Sequence, residues 1–216
     1  MKLILLGDSF TQGYLTEPGE GWADRLCADN DGDYTAGMFG GESALLPGWS
    51  VENHGMNGDT AMGMDLRLKE QILADDNELP DRVLITGGIN DLIYGGTGAD
   101  VTHFYASMIM AAVEHGVQPI IGLEPAIDPN LAGVFWMEGI NYFRVADEQK
   151  ELTEDLRTMA KENGLYTVDF YRAVETIKAQ HQGRRVYQDG LHLIPEVHVL
   201  LSEYAAAELI QIPLPL

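Results

Sequence analysis

Short apolar runs alternate with longer amphipathic stretches along the chain. Strands are predicted at 2–6 (KLILL), 82–86 (RVLIT), 117–123 (VQPIIGL) and 165–170 (LYTVDF), with a weaker candidate at 49–53 (WSVEN). Short apolar runs of this kind are typical of strands buried in a parallel sheet. Because helical patterns separate them, the runs indicate βαβ units with right-handed crossovers and helices on both faces of the sheet.

Helices are predicted between these strands at 60–76, 100–116 and 141–164. The second and third stretches both close on a glycine, which suits a helix C-terminus. A last helix is predicted to begin at Pro195, because proline favours the first turn. The residues that carry these patterns are Met62, Leu66, Ile72 and Leu73, at helical spacing in the first helix, and Val197, Leu201 and Tyr204, expected to point inward from the last.

Composition and charge exclude several classes of protein. A chain of 216 residues with 45% hydrophobic content suits one domain, 1–216, with a substantial core. The formal net charge of -21 disfavours binding to nucleic acid or to anionic lipid headgroups. We therefore expect no nucleic-acid partner and no membrane insertion.

The N-terminus and the single cysteine bear on location. Cys27 has no second cysteine with which to form an internal disulfide. The opening MKLILLGDSF has too short an apolar run for a secretory signal, and no segment approaches the length of a membrane span. A cytoplasmic protein is the simplest interpretation, although a chain trimmed of its signal would look the same.

The irregular stretch 29–48 predicts a long surface loop. Its DNDGD run at 29–33 has the alternating acids of a calcium loop. An EF-hand loop, however, requires glycine at its sixth position and glutamate at its twelfth, where this chain has Tyr34 and Gly40. We therefore expect no metal site.

The first predicted strand runs into a polar turn, ILLGDSFTQGY at 4–14, that contains Ser9. An isolated serine after a strand is most often a turn residue or a helix cap. The alternative is a nucleophile. Other polar residues at the strand ends decide between the two interpretations.

Polar clusters follow other predicted strands as well. Gly58 lies in NHGMNGDT and Asn90 in GGINDL, while Asp189 and His192 lie in DGLHL, just before the last helix. Ligands of open parallel sheets bind beyond the carboxyl ends of the strands. We therefore expect these residues to converge with Ser9 on one edge of the sheet.

These residue types together supply the groups that acyl transfer requires. A serine hydroxyl needs a base within hydrogen-bond reach, and a histidine serves best when a carboxylate orients it. Asp189 and His192 are close enough in sequence for a turn to join them. The backbone N–H groups of Ser9 and Gly58 and the Asn90 amide are candidate donors to an oxyanion. Glycine suits position 58 because a close backbone approach can require positive φ.

The four blocks, in this order, resemble the SGNH, or GDSL-type, hydrolase family of esterases and lipases. They are GDSF at 7–10, Gly58 within MNGDT, GIND at 88–91 and DGLH at 189–192, and they span nearly the whole chain. The resemblance implies a flavodoxin-like three-layer α/β/α sandwich around a central five-stranded parallel sheet. Phe10 stands where the family usually has leucine, which keeps the position apolar.

The resemblance also implies a role for each candidate residue. It makes Ser9 the nucleophile, His192 the general base and acid, and Asp189 the group that orients the histidine. Gly58 and Asn90 become donors of the oxyanion hole, with the Ser9 N–H as a third.

Several polar residues near these blocks are interpreted as structural. Asp8 and Asp91 are expected to accept hydrogen bonds from backbone N–H groups in their turns. His54 and His198 are expected to be surface or packing residues. Cys27, in a predicted helix, is expected to be a packing or surface residue.

Three large apolar residues follow the fourth predicted strand, after the loop-like EPAIDPNLAG. Phe135, Trp136 and Met137, within VFWMEG, are candidates for an acyl or aromatic pocket. A satellite cluster or an oligomer contact would explain the same residues.

The sequence therefore predicts a serine esterase that cleaves small or carbohydrate-linked carboxylic esters, with no metal and no organic cofactor. An O-acyltransferase that uses the same acyl-enzyme and a non-catalytic small-molecule binding domain are the alternatives. The expected partner is a small acyl ester, and the sequence leaves open whether the chain forms a homo-oligomer.

Overall fold

The computed structural model describes residues 1–75, 79–180 and 184–213, which form an α/β fold around one sheet of five parallel strands. The strands are β1 (Lys2–Gly7), β2 (Ser50–Gly55), β3 (Arg82–Thr86), β4 (Gln118–Leu123) and β5 (Tyr166–Asp169). Their order is β2-β1-β3-β4-β5, which is the flavodoxin-like order. The predicted fold class is confirmed, including the weaker strand candidate.

The strand ends differ by one or two residues from the predicted ones. β2 continues to Gly55, and β5 stops at Asp169 because Phe170 already begins a helix. Phe170 is buried, so its apolar character fits a strand and a helix equally well. Hydrophobicity therefore marks the run but not its last residue.

Helices connect the strands and cover both faces of the sheet. None of those in the described residues has the length and apolar character to cross a membrane. They are α1 (Ser9–Gln12), α2 (Trp22–Cys27), α3 (Ala61–Arg67), α4 (Ile89–Ile93), α5 (Gly98–Glu114), α6 (Pro129–Phe135), α7 (Tyr142–Glu162), α8 (Phe170–Gln180) and α9 (Pro195–Gln211).

Alternating side chains along the strands build two separate cores. In β1, Leu3 and Leu5 belong to a cluster with α2, α8 and α9, whereas Ile4 and Leu6 belong to a cluster with α3, α5 and α7. The period of two arises because successive side chains of a strand point to opposite faces. The result is the three-layer α/β/α arrangement that the resemblance implied.

The stretch predicted as one helix at 60–76 is divided. α3 ends at Arg67 and a π-helical turn follows at Leu68–Ile72, while residue 76 lies outside the described residues. Met64 and Leu68 face the core, whereas Met62 and Leu66 are about half exposed. Both sets have helical spacing, so the pattern could not choose the buried face.

The segment 29–48 is mostly irregular, as predicted, with one 3₁₀ turn at Ala36–Phe39. Four of its residues are nevertheless buried: Ala36 and Gly37 in this turn, and Ser43 and Leu46 after it. The Ser43 N–H donates to the Trp49 carbonyl at 2.7 Å, and the Ser43 Oγ accepts from the Leu46 N–H at 3.0 Å. These bonds hold the end of the loop against the start of β2.

The register of β1 places three chain segments at one level. Gly7 lies opposite Gly55 of β2 on one side and opposite Thr86 of β3 on the other. After β1 the chain forms β2 on one side, and it then returns to form β3 on the other side. The direction of strand addition therefore reverses at β1, and such a point leaves a crevice in which ligands bind.

The carboxyl end of β2 touches α1 directly at Gly55. A Cβ atom at this position would lie 2.1 Å from the Gln12 backbone nitrogen and 2.6 Å from the Gln12 Cα. No side-chain rotation relieves a contact with backbone, so α1 and β2 would have to move apart.

Gly55→Ala should therefore lower the free energy of unfolding by about 3 kcal/mol, the upper end for overpacking. Urea unfolding measures the change. Gly133→Ala in α6 is the matched control, because a Cβ there meets nothing within 4 Å; it should stabilise the protein by about 0.5 kcal/mol. Equal stability of the two variants would contradict the contact.

Candidate active site

Ser9 is the first residue of α1, directly after β1. The cap of this short helix is Asp8, whose Oδ1 accepts a hydrogen bond from the Phe10 N–H at 2.9 Å. The Ser9 hydroxyl instead lies 3.0 Å from Nε2 of His192. The capping interpretation of Ser9 is therefore excluded, since the neighbouring aspartate performs that function.

A short turn joins His192 to Asp189. His192 Nδ1 lies 2.8 Å from Asp189 Oδ2, while Asp189 Oδ1 accepts from the backbone N–H groups of Leu191 and His192 at 2.9 and 2.8 Å. Burial by itself raises the pKa of Asp189, but the hydrogen bonds from His192 and Leu191 and the electrostatic interaction with His192 together outweigh burial and hold that pKa below its usual value. The ionised carboxylate therefore faces the imidazole.

The turn that carries this pair is anchored at both ends. The Gln188 N–H donates to the His192 carbonyl at 2.7 Å, and the Asp128 N–H donates to the Gly190 carbonyl at 2.8 Å. The His192 ring lies between two aromatic rings, with centroids 4.7 Å from Tyr14 and 5.5 Å from Trp136. These contacts limit the positions that the imidazole can occupy.

Gly58 and Asn90 reach the same region from β2 and β3. Gly58 has φ of +72°, so the positive φ expected at this position is confirmed. Asn90 Nδ2 donates to the Asp59 carbonyl oxygen at 2.8 Å and to Asp8 Oδ2 at 3.2 Å. Both amide hydrogens of Asn90 therefore have partners within the protein.

An ion pair fixes the loop after β2. Arg67 donates from Nη2 to Asp59 Oδ2 at 2.6 Å and from Nε to the same oxygen at 2.8 Å. Its Nη1 and Nη2 also donate to the carbonyls of His54 and Gly7, at 2.8 and 3.0 Å. One guanidinium thus ties α3 to the ends of β1 and β2, and so holds the loop that contains Gly58.

A cavity of about 380 Å³ opens beside these groups and is lined by Ser9, Gly58, Asn90 and His192. This volume lies within the usual range for small-molecule sites. The remaining lining is mainly apolar and aromatic and includes Tyr14, Ile89, Ile93, Trp136, Met137 and Tyr142.

Of the three pocket candidates after β4, the structure places two in the cavity and one outside it. Trp136 and Met137 line it, whereas Phe135 does not and is 60% exposed. The predicted loop is partly helical, because Asp128 caps α6 and Pro129 occupies its first turn. α6 ends at Phe135 and Trp136 has an extended backbone, so the chain changes conformation between the two side chains.

Two carboxyl groups, Asp8 and Glu124, are hydrogen-bonded to each other beneath the cavity. Burial raises the pKa of Asp8 to about 6, against hydrogen bonds from Glu124 and from the Phe10 N–H. Burial also raises the pKa of Glu124 well above its usual range, and the nearby Asp8 charge adds to the effect. Both shifts favour a shared proton on the pair over two carboxylate charges.

The residues predicted to be structural behave so. Asp91 Oδ2 accepts from the Ala61 N–H at 3.0 Å, and His54 Nε2 lies 3.0 Å from Glu52 Oε2. His198 is buried and accepts a hydrogen bond from the Trp22 N–H at 3.1 Å; burial lowers its pKa to about 4. Cys27 is buried in α2, where desolvation raises the thiol pKa.

Sequence reasoning missed Glu124 and the aromatic residues Tyr14 and Tyr142. Glu124 directly follows β4, so the rule that placed Ser9 and Asn90 at strand ends applied to it as well. Tyr14 lies within the same polar turn as Ser9. Among the described residues, no group of three or more histidine, cysteine or acidic side chains is arranged to hold a metal ion.

Comparison with known proteins agrees with this architecture. A lipolytic protein of the G-D-S-L family from Veillonella parvula superposes with a TM-score of 0.76 at 23% identity, covering 98% of this chain and 100% of that one. A lipase/acylhydrolase from Enterococcus faecalis gives 0.70 at 26%, covering 96% and 94%. An acetyl xylan esterase gives 0.69 at 18%, covering 96% and 98%.

A search of curated proteins gives no match. Residues 5–200, by contrast, match the family model described as the GDSL-like Lipase/Acylhydrolase family, and this range contains all the blocks that carry the resemblance. The chain therefore belongs to the GDSL-like lipase/acylhydrolase family.

Proposed function

We propose that the protein is a serine esterase that forms an acyl-enzyme on Ser9. The observation that carries this proposal is the unbroken chain of contacts from Ser9 Oγ to His192 Nε2, at 3.0 Å, and from His192 Nδ1 to Asp189 Oδ2, at 2.8 Å. Nucleophile, base and orienting carboxylate are within hydrogen-bond distance without rearrangement.

In the first half-reaction, Ser9 Oγ attacks the carbonyl carbon of the ester as His192 Nε2 accepts the hydroxyl proton. The carbonyl oxygen becomes an oxyanion, for which the N–H groups of Ser9 and Gly58 and the Asn90 amide are the donors. The tetrahedral intermediate then collapses. The bond to the alcohol oxygen breaks, and the imidazolium gives its proton to the departing alcohol.

In the second half-reaction, water attacks the acyl-enzyme while His192 accepts one of its protons. Collapse of this intermediate releases the carboxylic acid and returns the proton to Ser9 Oγ. Asp189 stabilises the imidazolium in both half-reactions and remains ionised, which its lowered pKa favours.

The cavity supports a substrate with a compact acyl or aryl group. Its volume of about 380 Å³ and its aromatic lining suit an apolar group of modest size. The similarity to an acetyl xylan esterase supports a carbohydrate-linked acyl ester within this class.

Ser9→Ala should lower kcat on p-nitrophenyl acetate on the order of 10⁴–10⁶-fold, because the covalent route is lost. Asn90→Ala should cost roughly 10²–10³-fold, because it removes one of several oxyanion donors. Steady-state kinetics of the two variants measure the difference.

The controls are Ser107→Ala on α5 and Asn163→Ala after α7, both outside the cavity lining. Each should retain the wild-type kcat. Equal and mild losses in the Ser9 and Asn90 variants would contradict the assigned roles. Transfer of the acyl group to an added alcohol in preference to water would identify an acyltransferase.

Trp136→Ala should enlarge the acyl end of the cavity. The ratio of kcat/KM for p-nitrophenyl hexanoate to that for the acetate should then rise about tenfold, in the range that pocket contacts with one or two methylenes provide. Phe135→Ala is the matched control, because its exposed ring lies outside the cavity, and its ratio should match the wild type. An unchanged ratio in the Trp136 variant would remove this residue from the acyl site.

A further inference from the structure

The proposed reaction uses neither member of the buried carboxyl pair beneath the cavity. Asp8 is fully buried and Glu124 is 8% exposed, yet both are acids. An isolated buried carboxylate is costly, and two adjacent ones are more so. A buried acid pair in contact with a proposed oxyanion donor calls for a functional explanation.

One carboxyl group of the pair binds the Asn90 side chain, and the other binds the residue before Asn90 in the chain. Asp8 Oδ2 accepts from the Asn90 side-chain amide at 3.2 Å. Glu124 Oε2 accepts at 3.0 Å from the N–H of Ile89, the first residue of α4 and the neighbour of Asn90 in the chain. The pair thus contacts both the side chain of Asn90 and the backbone that carries it.

The remaining proton lies between the two acids. The hydrogen bond with Glu124 favours the ionised form of Asp8, and the Asp8 charge favours the protonated form of Glu124. Both effects favour a Glu124 O–H that donates to the Asp8 carboxylate. The other titratable and charged groups that face the pair are His192, Asp59 with its partner Arg67, Asp91 and Tyr105.

We propose that protonated Glu124 is a positioning residue for the oxyanion hole: by donating to Asp8, it leaves one N–H of Asn90 free to turn to the oxyanion. This inference rests on the proposed function. The Asn90 side-chain amide donates to the Asp59 carbonyl at 2.8 Å, whereas its hydrogen bond to Asp8 Oδ2 is longer, at 3.2 Å. The Asn90 N–H that donates to Asp8 is the one that donates to the oxyanion during the reaction.

Competition for that N–H is the physical basis of the effect. With Glu124 protonated, Asp8 has donors in the Glu124 O–H and the Phe10 N–H and depends less on Asn90. Without the Glu124 proton, the buried Asp8 charge draws the amide of Asn90 towards itself. A small displacement of a catalytic group is enough to slow the reaction substantially.

A double-mutant cycle on the full-length chain tests this coupling. Glu124→Leu should lower kcat for p-nitrophenyl acetate about 10- to 100-fold and change KM less than about threefold, because the loss lies in the transition state. Glu124→Gln, which keeps an N–H donor towards Asp8, should stay within about threefold of the wild-type kcat.

In the Asn90→Ala background, Glu124→Leu should lower kcat by less than about a further threefold, because the Asn90 amide through which Glu124 acts is already absent. Independent, multiplicative losses would overturn the proposal, as would a rise in KM alone or a Glu124→Gln variant as impaired as Glu124→Leu. An inactive wild type would instead overturn the proposed function, so the two failures are distinguishable.

Thermal unfolding tests the proton without reference to activity. Because the pKa of Glu124 is raised on folding, the wild type binds a proton that the unfolded chain releases, and its stability falls as pH rises above the unfolded value. The Tm of Glu124→Gln minus that of the wild type should therefore increase from pH 5 to pH 8.

Glu151→Gln, on the exposed face of α7, is the control and should give a difference that does not vary with pH. A constant difference for Glu124→Gln as well would mean that Glu124 is ionised in the folded protein. That result would overturn the proposal even if Glu124→Leu failed to fold.

Discussion

The register of β1 with its two neighbours is the constraint from which the arrangement of the site follows. Gly7 is level with Gly55 on one side and Thr86 on the other, so three segments leave the sheet at the same height. Ser9 and Asn90 follow within a few residues. A register shift between β1 and β3 would separate the Ser9 hydroxyl from the Asn90 amide, and a shift between β1 and β2 would move the loop that contains Gly58.

Negative charge is abundant around this site, and the fold keeps it in defined places. Asp189 is ionised and faces His192, and Asp59 is neutralised by Arg67. Burial of the pair beneath the cavity raises both pKa values, which favours one shared proton over a second charge. Buried ionisable residues lower the stability of a fold. They are nevertheless common at functional sites, because a site can require a hydrogen-bond pattern that stability alone would not select.

The sequence predicted the strands and their βαβ connections because strand burial depends on local pattern. The flavodoxin-like sandwich followed from the resemblance of the four blocks to a known family. The sequence did not choose the buried face of the helix after β2, since Met62 and Met64 both fit a helical stripe. The blocks at strand ends predicted which side chains would meet. Phe135 and Trp136, by contrast, could be separated only by knowing where α6 ends.

Glu124 could not be assigned from sequence for a different reason. A single glutamate after an apolar run is ordinarily exposed, and its partner Asp8 belongs to a distant part of the chain. Pairing of this kind depends on tertiary packing, which brings the ends of β1 and β4 under one cavity. The position of Glu124 at the end of β4 was a signal for the site, but no local pattern indicates its pairing with Asp8.

The central claim is that His192 activates the Ser9 hydroxyl for attack. Intact-mass and peptide analysis after treatment with a fluorophosphonate tests it most directly. We expect one adduct per chain, located on Ser9 and formed rapidly in the wild type. It should form at least about 10³-fold more slowly in His192→Ala and be absent in Ser9→Ala. An unlabelled wild type, an adduct on another residue, or labelling that does not depend on His192 would contradict it.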